Sequence, residues 1–160
     1  MKPEIRDLPE LKVLYVTRKG LVNGDFTRAA RDAFGVLCQF VESRRLQGQV
    51  RECLGICPDD PSVTGAEDCR YEAGFVLRDE TGVKPEGEVG LKVLPGGRCA
   101  VFVHTGPYQK LHETWAAAYR DWMPKANVQL RDAAPFEVYL NDPARTKPED
   151  LKTEIHIPII

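Results

Sequence analysis

Asp60-Pro61-Ser62-Val63-Thr64-Gly65-Ala66-Glu67-Asp68-Cys69-Arg70-Tyr71-Glu72 returns 82 residues later as Asp142-Pro143-Ala144-Arg145-Thr146-Lys147-Pro148-Glu149-Asp150-Leu151-Lys152-Thr153-Glu154. The shared frame is Asp-Pro-x-x-Thr-x-x-Glu-Asp-x-basic-x-Glu. A period of about half the chain means one folding unit has been duplicated, so each half can be read against the other. What both copies keep is scaffold. What they do not share is informative: just before the repeated segment, Gly55 of the first half stands where the second half has Glu137.

Working outward, each half reads as strand, helix, strand, strand. In the first, Leu11–Thr17 is a β-branched run, Phe26, Ala30, Ala33, Leu37, Phe40 and Val41 form a helical stripe, and Val50–Cys57 and Tyr71–Arg78 are strands. Asp25 suits the helix N-terminus, and Gly48 marks its end. In the second, Val89–Leu94 and Arg98–Thr105 flank Pro95-Gly96-Gly97, a hairpin signal. A helix follows with Leu111, Trp115, Ala118, Tyr119 and Trp122 on one stripe, ended by Pro124, and then strands Pro135–Leu140 and Leu151–Ile159. The expected fold is α+β: tandem duplicated βαββ units in a largely antiparallel sheet, with two main helices and a central ligand cleft. Residues 1–160 are expected to form one domain, with pseudo-repeats at about 4–78 and 88–160 and a Gly-, Pro- and charge-rich linker at 79–87.

Composition narrows the function classes. The 160 residues are 42% hydrophobic and 29% charged, enough apolar material for a core. The net charge is −2, with no basic run, so direct nucleic-acid binding has no electrostatic support. No apolar run approaches the ~20 residues needed to cross a bilayer, and the N-terminus lacks a signal-peptide core. A cytoplasmic location is the expectation. The five cysteines are odd in number and read as reduced thiols. On a strand Cys53 and Cys57 lie roughly 13 Å apart, too far to share one zinc. His104 and His112 have no metal-site spacing, and no nucleophile elbow or phosphate loop is present, so neither metal nor cofactor is expected.

One strand carries the site reasoning. Phe136, Val138 and Leu140 share one face, and Glu137 and Tyr139 the other. The apolar face is expected to meet a helix, so that Glu137 points to solvent or to a cleft between the units. An exposed carboxylate is the ordinary default. The duplicate Gly55 shows that the fold needs no charge there, and the second half concentrates the aromatics: Phe102, Tyr108, Trp115, Tyr119, Trp122, Phe136 and Tyr139. Aromatic walls around one carboxylate suit an apolar cation, or a carboxylic acid of raised pKa. Trp115, Tyr119 and Trp122 fit core packing equally well by spacing. Glu72 and Glu154, present in both copies, read as structural partners for basic neighbours.

The stretches Asp59–Glu72, Gly96–Tyr108 and Pro135–Pro143, in that order, resemble the GyrI-like family, the small-molecule-binding domain of the DNA gyrase inhibitory protein and of AraC-type and multidrug-sensing regulators. The resemblance implies two βαββ repeats around a cleft, with Glu137 as the acidic residue at its bottom and Tyr71, Trp115 and Tyr119 as walls. Phe102 and Tyr139 complete the candidate ligand-binding set. Cys99 departs from the aromatic residue the family carries after Gly-Gly-x. With the domain expected to start near residue 4, no DNA-binding helix-turn-helix is expected ahead of it. Three functions follow: a stand-alone protein that senses or sequesters amphipathic or cationic small molecules; a hydrolase of cyclopropane-bearing genotoxic compounds using Glu137, with Tyr71 as proton donor; or a modulator of DNA gyrase by protein contact.

Overall fold

A computed structural model describes residues 1–78 and 82–160, so part of the expected linker at 79–87 lies outside the described residues. The elements run β1 (Glu4–Leu8), β2 (Leu11–Lys19), α1 (Thr27–Ser43), β3 (Val50–Ile56), β4 (Arg70–Leu77), β5 (Gly90–Leu94), β6 (Gly97–Thr105), α2 (Leu111–Ala117), a π-helical turn Ala118–Trp122, α3 (Met123–Ala126), β7 (Phe136–Tyr139) and β8 (Lys152–Pro158). The fold is α+β, as expected, but each half has a second leading strand. β1 is the counterpart of β5, so the expected lone joining strand is one of a pair.

The eight strands form one antiparallel sheet in the order β1-β6-β8-β7-β3-β4-β2-β5. Each leading strand is exchanged: β1 lies on β6 of the second half, and β5 on β2 of the first. The expected hairpin at Pro95–Gly97 is therefore absent, because β5 and β6 go to opposite ends of the sheet. In a flat sheet, the first and seventh strands would be ~29 Å apart at ~4.8 Å per strand. Only Pro9 and Glu10 connect β1 to β2, and three Cα steps span at most ~11 Å. The sheet is consequently curled into a half-barrel whose ends meet where the two connections cross. Gly96 is required at that crossing: a Cβ there would fall 2.6 Å from the Leu8 carbonyl oxygen and 2.9 Å from the Glu10 nitrogen.

Both helices pack on one face of the sheet. Leu37 and Phe40 of α1 pack with Leu14, Val16, Tyr71 and Phe75 of the sheet; Leu111 of α2 packs with Ala100, Phe102, Ile155 and Ile157. Asp25 Oδ1 accepts the Thr27 N–H at 2.9 Å, satisfying one of the unpaired donors at the start of α1. The helix ends at Ser43, before Gly48, with Arg45 in the left-handed region at φ 57°. Pro124 does not end the second helix. The wider π turn before it absorbs the missing N–H, and the helix runs to Ala126, with Asn127 left-handed beyond it.

The other face has no helix and is still buried, because the curl covers it. Leu11, Val13, Leu54, Ile56, Val76, Phe136 and Val138 form its core. This inverts the expected orientation of β7: Phe136 and Val138 meet sheet residues, and Glu137 is on the helix face. The duplicated carboxylates stand on the helix-free face and clamp the exchanged strands. Glu72 on β4 takes Lys92 from β5 and the Thr17 hydroxyl at 3.2 Å, and Glu154 on β8 takes Arg6 from β1 at 2.9 Å.

Candidate functional site

β3 and β7 are the central strands, and their register sets Gly55 directly opposite Glu137. The two positions that differ between the copies are thus cross-strand partners where the halves meet. They lie on the helix face, between the core under α1 and the core under α2. Glycine is required opposite the carboxylate. A Cβ on Gly55 would fall 2.7 Å from Tyr71 Cε2 and closer still to the hydroxyls of Tyr71 and Tyr139.

Those hydroxyls belong to a chain of hydrogen bonds. Tyr139 donates to Glu137 Oε1 at 2.8 Å, and the Trp115 indole N–H donates to Oε2 at 2.7 Å. Tyr71 and Tyr139 share a 2.6 Å bond. With the Tyr139 proton committed to Glu137, Tyr71 is the donor in that bond. The network therefore runs from β4 through β7 to α2 and spans both halves.

Rings enclose it. Phe26 packs on Tyr71 at 5.4 Å, Phe34 meets the edges of Tyr71 and Tyr139 at 6.5 and 6.0 Å, and Tyr108 lies 5.5 Å from Tyr139. Trp115 stacks on Tyr119 at 6.1 Å and 8° between planes. Glu137 is 7% exposed. Burial pushes its carboxyl above the usual range, and the Trp115 and Tyr139 hydrogen bonds only partly offset that. Burial, followed by the Glu137 charge, drives the Tyr71 and Tyr139 phenols and the Cys57 thiol well up. Tyr119, at the rim, is pushed up to about 12 by burial. Among the described residues no basic side chain acts on Glu137, and no cluster of three His, Cys, Asp or Glu side chains could hold a metal.

Of the residues singled out by sequence, Glu137, Tyr71, Trp115, Tyr119 and Tyr139 come together. Phe102 does not join them: it is 1% exposed and packs edge-on against Trp122 at 5.3 Å, a core pair beneath the second helix. Phe26, Phe34 and Tyr108 complete the ring cluster. Phe26 stood in the α1 stripe and Phe34 outside it, so the first half supplies more of the aromatic wall than its composition suggested. The usable signal is Phe34 lying one helical turn from Ala30 and beside Ala33, where small residues leave room for a ring.

A curled antiparallel sheet with two helices on one face is the fold of a family of small-molecule-binding domains. The chain belongs to the GyrI-like family: the sequence model for the GyrI-like small molecule binding domain matches residues 1–160. The SPbeta prophage-derived protein YosT of Bacillus subtilis, a candidate transcriptional regulator, is 32% identical over 87% of this chain and 89% of its own length. Among solved structures, a hydrolase from Listeria innocua superposes with a TM-score of 0.66 at 19% identity, over 99% of this chain and 92% of its own. SAV2435 bound to tetraphenylphosphonium superposes at 0.62 and 16%, over 100% and 94%. Among the described residues no helix is long and apolar enough to cross a membrane.

Proposed function

We propose that the seam between α1 and α2 binds an amphipathic small molecule carrying a positive charge, with Glu137 as its counter-charge and the surrounding rings as its walls. The protein then acts as a sensor or as a sequestering, resistance-type protein. The observation that carries this reading is a carboxylate 7% exposed with no cationic partner acting on it. Burying an acid without a counter-charge disfavours its ionised form, two hydrogen bonds only partly offset that, and folding alone does not require an acid where the duplicate has glycine. A ligand cation among aromatic faces would supply both the missing charge and cation–π contact. The phosphonium held by SAV2435, on the same fold, supports that ligand class.

Isothermal titration of tetraphenylphosphonium, and of neutral triphenylphosphine oxide, against the wild type and Glu137→Gln tests it. Glu137→Gln is expected to weaken the cation by about tenfold or more, the scale of one charge-assisted contact, and to leave the neutral compound unchanged. Equal weakening of both, or of neither, would refute it.

A second reading is hydrolysis, favoured by the Tyr71–Tyr139–Glu137 chain and by the hydrolase of the same fold from Listeria innocua. A carboxylate of raised pKa is the better general base for water, and Tyr71 is the outer proton donor. Turnover of a reactive cyclopropane compound that is lost in Glu137→Gln while binding persists would support it. Product at the uncatalysed rate would exclude it.

A further inference from the structure

We propose that Trp115 is a latch on Glu137: its indole N–H holds the carboxylate in the unliganded protein, and a ligand enters by displacing that indole, which swings at the π turn following α2. The proposal rests on the ligand reading above. The two groups gripping the carboxylate are held very differently. Tyr139 is two residues from Glu137 on a strand paired along both edges, so it cannot leave. Trp115 sits in α2, the first seven residues of a helix that runs on to Ala126; Leu111 is the one fully buried residue of that stretch, and the indole packs on the edge of the core beneath it. The indole is itself half-buried, and its stacking partner Tyr119 is 37% exposed.

The backbone beside it has two hydrogen-bonding registers within reach. The Ala118 N–H is shared between the carbonyls of Thr114 and Trp115, and the π turn Ala118–Trp122 begins there. Below the turn, Trp122 is locked edge-on against Phe102; above it, Thr114 Oγ1 bonds His104 Nδ1 at 2.7 Å. Movement is thereby confined to the stretch carrying Trp115 and Tyr119. A plain core tryptophan needs any acceptor for its N–H. This one takes Oε2 of the site's own acid, the atom an incoming cation would seek, so ligand and indole compete for one position.

Stopped-flow mixing with tetraphenylphosphonium reads the latch. In the wild type the observed rate is expected to rise with concentration and then level off at the opening rate. In Trp115→Phe, which keeps a ring and removes the N–H, the plateau should rise by about tenfold, the loss of one charge-assisted hydrogen bond. In wild-type NMR spectra, assigned with Trp122→Phe, phosphonium should shift the Trp115 indole N–H out of its hydrogen-bonded position. Rates linear in concentration and equal in both proteins, or an indole resonance unmoved at saturation, would overturn the latch. If Trp115→Phe does not fold, the wild-type spectra decide. If phosphonium binds neither protein, the cation reading fails, and the latch is decided without ligand. Exchange of the Trp115 N–H with D2O far faster than the β7 amides supports it, and exchange as slow as theirs rejects it.

Discussion

Gly55→Ala isolates the packing that lets an acid be buried at the centre of the sheet. On an ordinary extended strand the change would stabilise by about 0.4–1 kcal/mol, by restricting the unfolded chain. Here the new methyl meets Tyr71 Cε2 at 2.7 Å and both tyrosine hydroxyls more closely. Neither ring has slack: Tyr71 is 1% exposed, and the two hydroxyls are bonded to each other and onward to Glu137. Overpacking costs about 1–3 kcal/mol. Losing one bond of the network adds about 1–3 kcal/mol. The net loss is about 1–5 kcal/mol, which for a chain of this size lowers the melting temperature by roughly 2–20 °C. Urea and thermal melts of Gly55→Ala, Tyr139→Phe and the double variant measure it. Because Tyr139→Phe removes one clashing atom, the double variant should recover about 1 kcal/mol or more relative to additivity. A Gly55→Ala protein as stable as the wild type, or strict additivity, would refute the proposed reason for the glycine.

Other consequences follow from particular residues. Leu37→Ala, at 0% exposure on the buried face of α1, should cost about 2–5 kcal/mol in urea unfolding. Lys92→Met leaves Glu72, 6% exposed, without its ion pair, and should cost about 2 kcal/mol, whereas replacing exposed Lys2 should cost nothing measurable. Burial depresses His156 below its ordinary value of 6.5, so the unfolded chain takes the proton first. Stability should then fall as pH drops through that value, with the slope reduced in His156→Asn. Glu137 has the opposite sign. Its folded value is raised above 4.5, so the folded state holds the extra proton and stability should fall as pH rises from there, a slope Glu137→Gln removes. Tyr71→Phe should change phosphonium affinity by less than about tenfold, while removing most turnover if the hydrolytic reading holds.

The duplication and the Gly55/Glu137 difference were legible in the sequence because they are local comparisons of aligned residues. The facing of β7 was not. Phe136 and Val138 look like a helix-packing face, but a curled sheet buries its second face with strands alone, and nothing in the alternation says which side the helices occupy. β1 escaped notice because Glu4-Ile5-Arg6-Asp7 shows no apolar alternation: as an edge strand it buries no side chain fully, and Ile5 is 42% exposed. Pro95-Gly96-Gly97 has the chemistry of a tight turn, yet its flanking strands choose partners far away in the chain. The tight connection serves a crossing, and Gly96 is small for the backbone lying against it. Trp115 was ambiguous by spacing: it and Trp122 are both half-buried against the core under α2, and only the position of the Trp115 N–H against Glu137 separates them.

The central claim is that Glu137 is the counter-charge for a bound cation. Calorimetric titration of tetraphenylphosphonium near pH 5, in two buffers of different ionisation enthalpy, tests it directly. A cation seated on an acid whose folded value is raised drives its proton off, so the wild type should release a measurable fraction of a proton per cation bound, and Glu137→Gln none. A binding heat independent of buffer in the wild type, with affinity unchanged in Glu137→Gln, would contradict the account.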